Sequence, residues 1–322
     1  MIAVLAGGVG AARFLEGLVQ VVPPETIVAI VNTGDDMAFH GLHVSPDIDI
    51  VMYTLAGIVD PSQGWGIRDD TTYALSMLAT LGADTWFKLG DQDLAVHIRR
   101  TELLRAGWTL SQVTDAFRRA LNVGVRLLPM SDDPVATEIA TPAGWLHFQQ
   151  YLVQRRARDE ALGIRFVGVE QARPAPGVLE ALRAAEVIVI APSNPVVSIG
   201  TILAVPGVRD AIMASSAPVV AVSPIIAGAP VKGPAAPLMR AVGLEVSVRG
   251  VAACYCGLID VLVIDRADAD LADDVRASGA EVTVTETIMR GPAEKRRLAE
   301  ATLAAARTAV RRRAYQRVSQ EG

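Results

Sequence analysis

The stretch Met1-Ile2-Ala3-Val4-Leu5-Ala6-Gly7-Gly8-Val9-Gly10 decides the fold that this sequence predicts. Its first six residues are all apolar, which is typical of a strand buried on both faces of a parallel sheet. Glycines follow directly, and a helical pattern from Ala11 to Val22 begins behind them. The order of strand, glycine turn and helix predicts the first unit of a β/α fold.

Apolar runs of strand length recur further along the chain, at Ile27 to Val31, Val187 to Ile190, Val219 to Val222 and Val261 to Ile264. Helical patterns lie between them, for instance at Gly177 to Ala185 and Leu203 to Ser215. This alternation predicts right-handed crossovers and therefore an α/β fold with a Rossmann-like, doubly wound, mainly parallel sheet. In such sheets ligands bind beyond the carboxyl ends of the strands, so the loops there are where chemistry is expected.

One region breaks the alternation. Between residues 64 and 128 the pattern is helical without strands, at Thr71 to Leu81, Asp93 to Arg105 and Ser111 to Leu121. We therefore predict a small helical insertion at residues 64–128 and a Rossmann-like core formed by residues 1–63 and 129–322. A strand is expected again near Leu146 to Phe148, and a terminal helix over Ala293 to Arg313.

Composition excludes several classes of protein. Hydrophobic residues make up 51% of the chain and charged residues 20%, which is typical of an ordered globular protein. The net charge of −5 argues against nucleic acid as a partner, and the basic run Arg311 to Arg313 closes a helical segment, where cations complement the helix dipole. The N-terminus has no basic segment before its apolar run, and no apolar run reaches membrane-spanning length. We expect a cytoplasmic protein without membrane contact.

The first glycine turn is a candidate phosphate-binding site. Gly7, Gly8 and Gly10 follow a strand, and Arg13 lies in the first turns of the helix behind them. Glycines let backbone N–H groups approach an oxyanion at the positive end of a helix. Arg13 occupies the position of the third glycine in the dinucleotide motif, which disfavours an NAD-dependent oxidoreductase. A tight turn that simply needs glycine dihedral angles is the alternative.

Carboxylates cluster after the second predicted strand, in Asn32-Thr33-Gly34-Asp35-Asp36 and in Ser45-Pro46-Asp47-Ile48-Asp49. Two unit charges about 4 Å apart repel by roughly 4 kcal/mol at an effective dielectric constant of 20, so a divalent cation is the natural partner. Oxygen ligands next to a phosphate favour Mg²⁺. Asp35 and Asp49 are the metal candidates, while Asp36 and Asp47 are also explained as helix caps or turn residues.

Two further loops carry polar groups at the same predicted edge of the sheet. Ser193 and Asn194 lie between two prolines after one apolar strand, and Ser223 follows the next strand. Each loop alone is weak support, but two proline-stiffened polar loops on successive strands favour a preorganised nucleotide or phosphate site.

Seven segments together resemble the 2-phospho-L-lactate transferase family of coenzyme F420 biosynthesis: Gly7 to Arg13, Asn32 to Asp36, Ser45 to Asp49, Lys88 to Asp93, Pro129 to Pro134, Ala191 to Gly200 and Ser223 to Gly228. The resemblance runs from residue 1 to about residue 310. It implies a homodimeric, Mg²⁺-dependent transferase. Such an enzyme moves a phospholactate or phosphoenolpyruvate group from a guanosine diphosphate donor to the deazaflavin Fo and releases GMP.

The resemblance also implies residue roles. Asp49 and Lys88 would contact Fo, and Asp35 and Asp49 would hold the metal and serve catalysis, with Asp49 orienting the attacking hydroxyl. The donor would be received by a set of turn and loop residues: Gly7, Gly8, Gly10, Arg13, Ser193, Asn194 and Ser223. Phospholactate, phosphoenolpyruvate and phosphoglycerate differ by one small group, so the sequence leaves the donor open.

A regulatory protein that binds nucleotide sugars is the alternative. The loop from Ala191 to Gly200 is shared with a related gluconeogenesis-factor family, so this loop alone does not decide between the two functions. Such a module would need the nucleotide loops but neither a deazaflavin pocket nor a metal at the carboxylates. The segments Ser45 to Asp49 and Lys88 to Asp93 favour the transferase.

Overall fold

The structure, a computed structural model, describes the backbone of residues 1–321 and the side chains of residues 1–309, so the side chains of Arg311 to Arg313 lie outside the described residues. The strands are β1 Ile2–Ala6, β2 Ile27–Val31, β3 Met37–Phe39, β4 Leu42–Val44, β5 Arg126–Pro129, β6 Ala136–Thr141, β7 Gly144–His147, β8 Gly163–Val167, β9 Val187–Ile190, β10 Val219–Val222, β11 Ile225–Ile226, β12 Ala229–Pro230, β13 Val261–Asp265 and β14 Glu281–Thr285. The helices are α1 Gly8–Leu18, α2 Pro46–Leu55, α3 Tyr73–Thr80, α4 Asp91–Arg105, α5 Leu110–Ala120, α6 Val178–Ala184, α7 Gly200–Ala204, α8 Val208–Ala214, α9 Ala235–Ala241, α10 Val248–Cys254, α11 Ala272–Ala277 and α12 Pro292–Glu321.

The main sheet has seven strands in the order β14-β13-β10-β9-β1-β2-β5, and every pairing in it is parallel. The strand order reverses its direction between β1 and β9, so the chain winds outward on both sides of that point. Open α/β sheets bind ligands at such a switch point. The predicted α/β, doubly wound fold is confirmed, and all five predicted core strands belong to this sheet.

Hydrophobic cores cover both faces of the sheet, because alternate residues of each strand point to opposite sides. Ala3 and Leu5 of β1 belong to the core that includes α6, α8, α9 and α10. Ile2, Val4 and Ala6 belong to the second core, formed with α1, α2 and α12. Burial on both faces explains why these strands are apolar at every position.

The region predicted as an insertion contains helices α3, α4 and α5 and no strand before β5 begins at Arg126. Strand β5 pairs with β2 as an edge of the main sheet, so the core resumes a few residues before position 129. The division into a core and an insertion subdomain stays a prediction. The strand expected near Leu146 is β7, which pairs with β6 in a separate antiparallel sheet of three strands.

The single helix predicted from Leu203 to Ser215 is wrong. Helix α7 ends at Ala204 and α8 begins at Val208, and the segment Pro195–Ala204 meets α8 at 85°. Pro206 lacks a backbone N–H and disfavours helical geometry at the residue before it, and Gly207 adopts a φ of 82° that ends the helical path.

Within the described residues no single helix combines the length and the hydropathy that crossing a bilayer requires. The bent pair Pro195–Ala204 and Val208–Ala214 meets the criterion by combined length and composition only.

Candidate functional site

A cleft of about 800 Å³ opens at the carboxyl edge of the main sheet, next to the switch point between β1 and β9. It is lined by every residue that the sequence proposed for the site: Gly7, Gly8, Gly10, Arg13, Asp35, Asp49, Lys88, Ser193, Asn194 and Ser223. The structure therefore brings these residues together in one cavity, although they come from six separate segments of the chain. Their individual roles stay predictions.

The glycine turn is fixed by the loop after β9. The Ser193 hydroxyl donates to the Gly7 carbonyl at 2.8 Å and accepts the Gly7 N–H at 3.1 Å. Gly10 faces the Pro192 carbonyl so closely that a Cβ at this position would lie 2.0 Å from the oxygen. Helix α1 begins directly behind the turn, and Gly7 supplies no side-chain cap. The Gly8 N–H is used by the Asp47 carboxylate, and the N–H groups that follow it can bind an anion.

The polar side chains of the two proline-stiffened loops satisfy their own backbone. Asn194 Oδ1 accepts the N–H groups of Val196 and Val197, and the Ser223 hydroxyl donates to the Ile225 carbonyl. These side chains lie at the cleft as predicted, but their hydrogen-bonding capacity is largely used to hold the loops. Preorganised backbone is therefore their main contribution to the site.

Two buried carboxylates meet at the edge of the sheet. Asn32 Nδ2 donates to Asp35 Oδ1 at 3.1 Å and to Asp47 Oδ2 at 2.9 Å, while its Oδ1 accepts the Gly34 N–H. No described basic side chain forms an ion pair with Asp35 or Asp47. Burial and the neighbouring Asp47 raise the pKa of Asp35 well above its usual value, and burial raises the pKa of Asp47 to about 7. Complete ionisation of the pair would therefore place negative charge in the cleft that no described basic side chain balances.

Asp49 has a different environment, although it is only two residues from Asp47. The Arg100 guanidinium contacts both of its carboxylate oxygens, one of them at 3.0 Å, and both side chains are almost inaccessible. Burial raises the pKa of Asp49, and Arg100 opposes this effect. Asp35 thus shares Asn32 with Asp47, whereas Asp49 pairs with Arg100, because α2 turns the two aspartates in different directions. The metal roles proposed for Asp35 and Asp49 stay predictions.

A second group of candidate metal ligands exists around α4. One ligand atom each from Asp49, Asp93 and His97 lies within 4.8 Å of the others. Arg100 already supplies a positive charge to Asp49, and its Nη1 lies 3.1 Å from His97 Nδ1. A histidine that binds a metal normally donates its other ring N–H to an acceptor, and a guanidinium cannot accept. The pair Asp35 and Asp47 is therefore the better cation site.

Several cations line the cleft without a carboxylate partner among the described side chains: Arg13, Lys88, Arg156, Lys232 and Arg290. Lys232 Nζ donates to the Gln63 carbonyl at 2.6 Å, and the pKa of Lys232 is lowered by burial and by the nearby Arg13. Like charges held together in this way favour a bound anion.

Aromatic side chains form another wall of the cleft. Trp65, Trp86 and Phe87 line it, and Trp86 and Phe87 pack edge to face with ring centroids 5.8 Å apart. Lys88 Nζ lies 5.6 Å from the centroid of the Trp65 ring and 3.4 Å from Gln63 Oε1. This wall suits a planar ring system.

Sequence reasoning did not assign Asn32, Arg100 or Lys232 to the site, and it treated Asp47 as a turn or cap. Asn32 directly follows a predicted core strand, and its position there is a usable signal. Arg100 gave no local signal, because its partner Asp49 is 51 positions away in the sequence.

Comparison with known proteins adds independent findings. A solved structure of a UPF0052 family member from Bacillus halodurans matches 94% of this chain and 99% of its own, with a TM-score of 0.64 and 18% identity, which supports the fold. Proteins named phosphoenolpyruvate transferase match at 51% identity from Streptomyces griseus (89% of this chain, 92% of the relative) and at 47% from Kitasatospora aureofaciens (96% of each). A family model described as 2-phospho-L-lactate transferase CofD matches residues 2–305. The resemblance inferred from the sequence is thus confirmed: the chain belongs to the 2-phospho-L-lactate transferase (CofD) family of coenzyme F420 biosynthesis and is a transferase.

Proposed function

We propose that this transferase moves a phosphoenolpyruvate group from a guanosine diphosphate donor to the deazaflavin Fo, with Mg²⁺, and releases GMP. The observation that carries the proposal is the acidic pair, Asp35 and Asp47, which has no described basic partner and lies in the same cleft as the N-terminus of α1 and several cations without a carboxylate partner among the described side chains. A divalent cation would balance the carboxylates, and a phosphorylated ligand would balance the cations.

The acidic pair fits Mg²⁺. Asp35 and Asp47 are 3% and 4% exposed, and each accepts a hydrogen bond from Asn32 with one of its two carboxylate oxygens. Mg²⁺ prefers one or two carboxylates together with water and phosphate oxygens, and bound there it would stabilise negative charge on the phosphoryl oxygens. Asn32 holds the two carboxylates in a fixed relation before any ligand arrives.

The glycine turn and the cations suit the diphosphate of the donor. Backbone N–H groups at the start of α1 can donate to phosphate oxygens, and Arg13 and Lys232 add positive charge next to the turn. Because these groups are already positioned, they can stabilise the charge that develops on the bridging oxygen as GMP leaves.

The aromatic wall suits the ring system of Fo, which would place its ribityl chain toward the acidic pair. In the proposed step the terminal ribityl hydroxyl attacks the β-phosphorus. A new oxygen–phosphorus bond forms, the bond from the β-phosphorus to the bridging oxygen breaks, GMP departs, and the hydroxyl proton passes to water or to a carboxylate of the acidic pair. Positioning and electrostatic stabilisation would supply most of the rate. The second oxygen of Asp35 or Asp47 would orient the hydroxyl, whereas both oxygens of Asp49 already contact Arg100.

The choice of phosphoenolpyruvate over phospholactate rests on the relatives, because the proteins from Streptomyces griseus and Kitasatospora aureofaciens carry the name phosphoenolpyruvate transferase. A homodimer in the cytoplasm, acting on small molecules without nucleic acid or membrane partners, completes the proposal.

The test is a transfer assay with purified protein, Fo and each of the three candidate donors, with and without Mg²⁺, read by mass spectrometry of the Fo product. We expect Mg²⁺-dependent product with the phosphoenolpyruvate donor. Asp35→Asn should reduce the rate by at least about 100-fold, as expected when a group that stabilises transition-state charge is lost. Asp210→Asn, on the exposed surface of α8, is the matched control. No transfer from any donor, combined with tight binding of a nucleotide sugar, would point to the regulatory function instead.

A further inference from the structure

His97 and Asp93 lie one turn apart on α4, and both line the cleft. His97 Nε2 is buried 3.4 Å from Asp93 Oδ1, an electrostatic contact that works against burial and helps to lower the pKa of Asp93, but it meets the geometry of a hydrogen bond with none of the described residues. An unpaired buried donor or acceptor costs about 1–3 kcal/mol, so its presence needs a reason. A ligand that pairs with Nε2 would supply one.

The position of the proton on His97 follows from Arg100. Arg100 Nη1 is 3.1 Å from His97 Nδ1, and a guanidinium nitrogen can only donate. Nδ1 is therefore the acceptor, and the ring carries its proton on Nε2. The nearest carboxylate oxygen to Nδ1 is Asp49 Oδ2 at 3.8 Å, too far for a hydrogen bond that would reverse this assignment. His97 thus presents a donor, not a base, at Nε2.

Asp93 presents the complementary acceptor. The Tyr53 hydroxyl donates to Asp93 Oδ1 at 2.7 Å and fixes the orientation of the carboxylate. Oδ2 receives no hydrogen bond from the described residues, and the side chain is 14% exposed, so a ligand can reach it. A donor and an acceptor therefore stand side by side on one helix, each held in place by a buried neighbour.

We propose that His97 and Asp93 together read the lactam edge of a ring, in which a C=O and an N–H are adjacent. His97 Nε2–H donates to the ring carbonyl, and Asp93 accepts the ring N–H. Paired contacts of this kind select one base edge over another in nucleic-acid recognition. The inference rests on the proposed function, because that function supplies two ligands with such an edge, the pyrimidine ring of Fo and the guanine of the donor.

Two substitutions of His97 separate recognition from a structural role. His97→Asn can keep an acceptor near the position of Nδ1 for Arg100 but loses the donor at Nε2. His97→Gln can place an amide N–H near the position of Nε2 but loses the acceptor for Arg100. If His97 recognises a ring edge, His97→Asn should lose ligand affinity and His97→Gln should keep it. If His97 only supports Arg100, His97→Gln should be the variant that loses affinity.

The experiment measures the affinities of wild type and both variants for Fo, by its fluorescence, and for GDP, by calorimetry. We expect His97→Asn to weaken one of the two ligands about tenfold or more and His97→Gln to stay within about threefold. Loss confined to Fo identifies the deazaflavin ring, and loss confined to GDP identifies guanine; both support the inference. For the affected ligand, methylation of the ring N–H should weaken binding to wild type by a similar factor.

Three results would overturn the inference. The first is wild-type affinity for both ligands in His97→Asn. The second is a larger loss in His97→Gln than in His97→Asn, with a lowered melting temperature, which would show a structural role. In both of these cases binding of Fo by the wild type leaves the proposed function standing. The third is a wild type that binds neither Fo nor GDP, which overturns the proposed function as well.

Discussion

Arg100 should be among the residues on which the stability of this protein depends most. Its side chain is 1% exposed, that of Asp49 is 6% exposed, and the guanidinium also reaches His97 Nδ1 and the His43 carbonyl. Arg100→Met keeps much of the aliphatic volume but leaves the Asp49 carboxylate buried without a cation. Removing one partner of a buried ion pair costs about 3–5 kcal/mol, because the remaining charge has lost both water and its counterion. We expect a loss of that size.

The assay is urea unfolding followed by circular dichroism, with the midpoint compared at constant slope. Arg99→Met is the matched control: the Arg99 side chain is 55% exposed, and its one ion pair with the described side chains is to Glu102. The free energy of unfolding should therefore change by less than about 0.5 kcal/mol. The double variant Arg100→Met, Asp49→Asn should be less destabilised than the sum of its two single changes, by about 1 kcal/mol or more.

The pH dependence gives an independent check. Burial raises the pKa of Asp49 in the folded protein, and Arg100 works against this rise. Without Arg100 the folded state should bind a proton at Asp49 more tightly than the unfolded state does. Stability of Arg100→Met relative to wild type should therefore recover as the pH falls through the raised folded pKa. A loss below about 1 kcal/mol at neutral pH, or no recovery in acid, would refute the reasoning.

Two further predictions concern backbone packing and acid stability. Gly10→Ala would place a Cβ 2.0 Å from a carbonyl oxygen, so we expect about 1–3 kcal/mol of destabilisation and weaker GDP binding. Gly163→Ala is the control: the nearest atom to its new Cβ would be 3.8 Å away, so this variant should unfold like wild type. Burial raises the pKa of Asp265, but hydrogen bonds from Ala267 and Thr287 outweigh it and leave the pKa below its usual value of 3.8. The ionised Asp265 carboxylate therefore stabilises the folded state fully above pH 3.8, and this stabilisation is lost as the pH falls through the folded pKa of Asp265. Urea midpoints measured from about pH 7 to about pH 3 should decline less in Asp265→Asn than in wild type.

The sequence predicted the central strands well and missed both edges of the sheet. Strands β1 and β10 are buried at every position and stand out as apolar runs. The edge strand β14, Glu281–Thr285, alternates polar and apolar residues because it is only partly covered, and β5 is a short run of four residues. Neither has the continuous apolar signal that burial on two faces produces.

The sequence predicted which segments form the candidate site, but not which side chains pair with one another inside it. The segment from Ser45 to Asp49 looks like a loop because it begins with Ser-Pro, yet Pro46 is the first residue of α2. On a helix, residues two positions apart point about 200° apart around the axis. Asp47 therefore turns toward Asn32 and Asp49 toward Arg100. Which aspartate is paired with a cation depends on contacts between distant segments, and local pattern does not contain them.

Contacts between distant segments and local backbone also explain why several side chains predicted to bind a ligand already form hydrogen bonds within the protein. Ser193 and Ser223 lie in tight loops whose backbone N–H and C=O groups are buried, and a buried backbone group must find a partner first. Their hydroxyls meet that demand and make the loops rigid. What the cleft leaves unsatisfied is charge: an acidic pair at Asp35 and Asp47, and cations such as Arg13. A phosphorylated ligand with a divalent cation would satisfy both at once, so our proposal for what the site binds rests on the residues that have no partner more than on those that are well bonded.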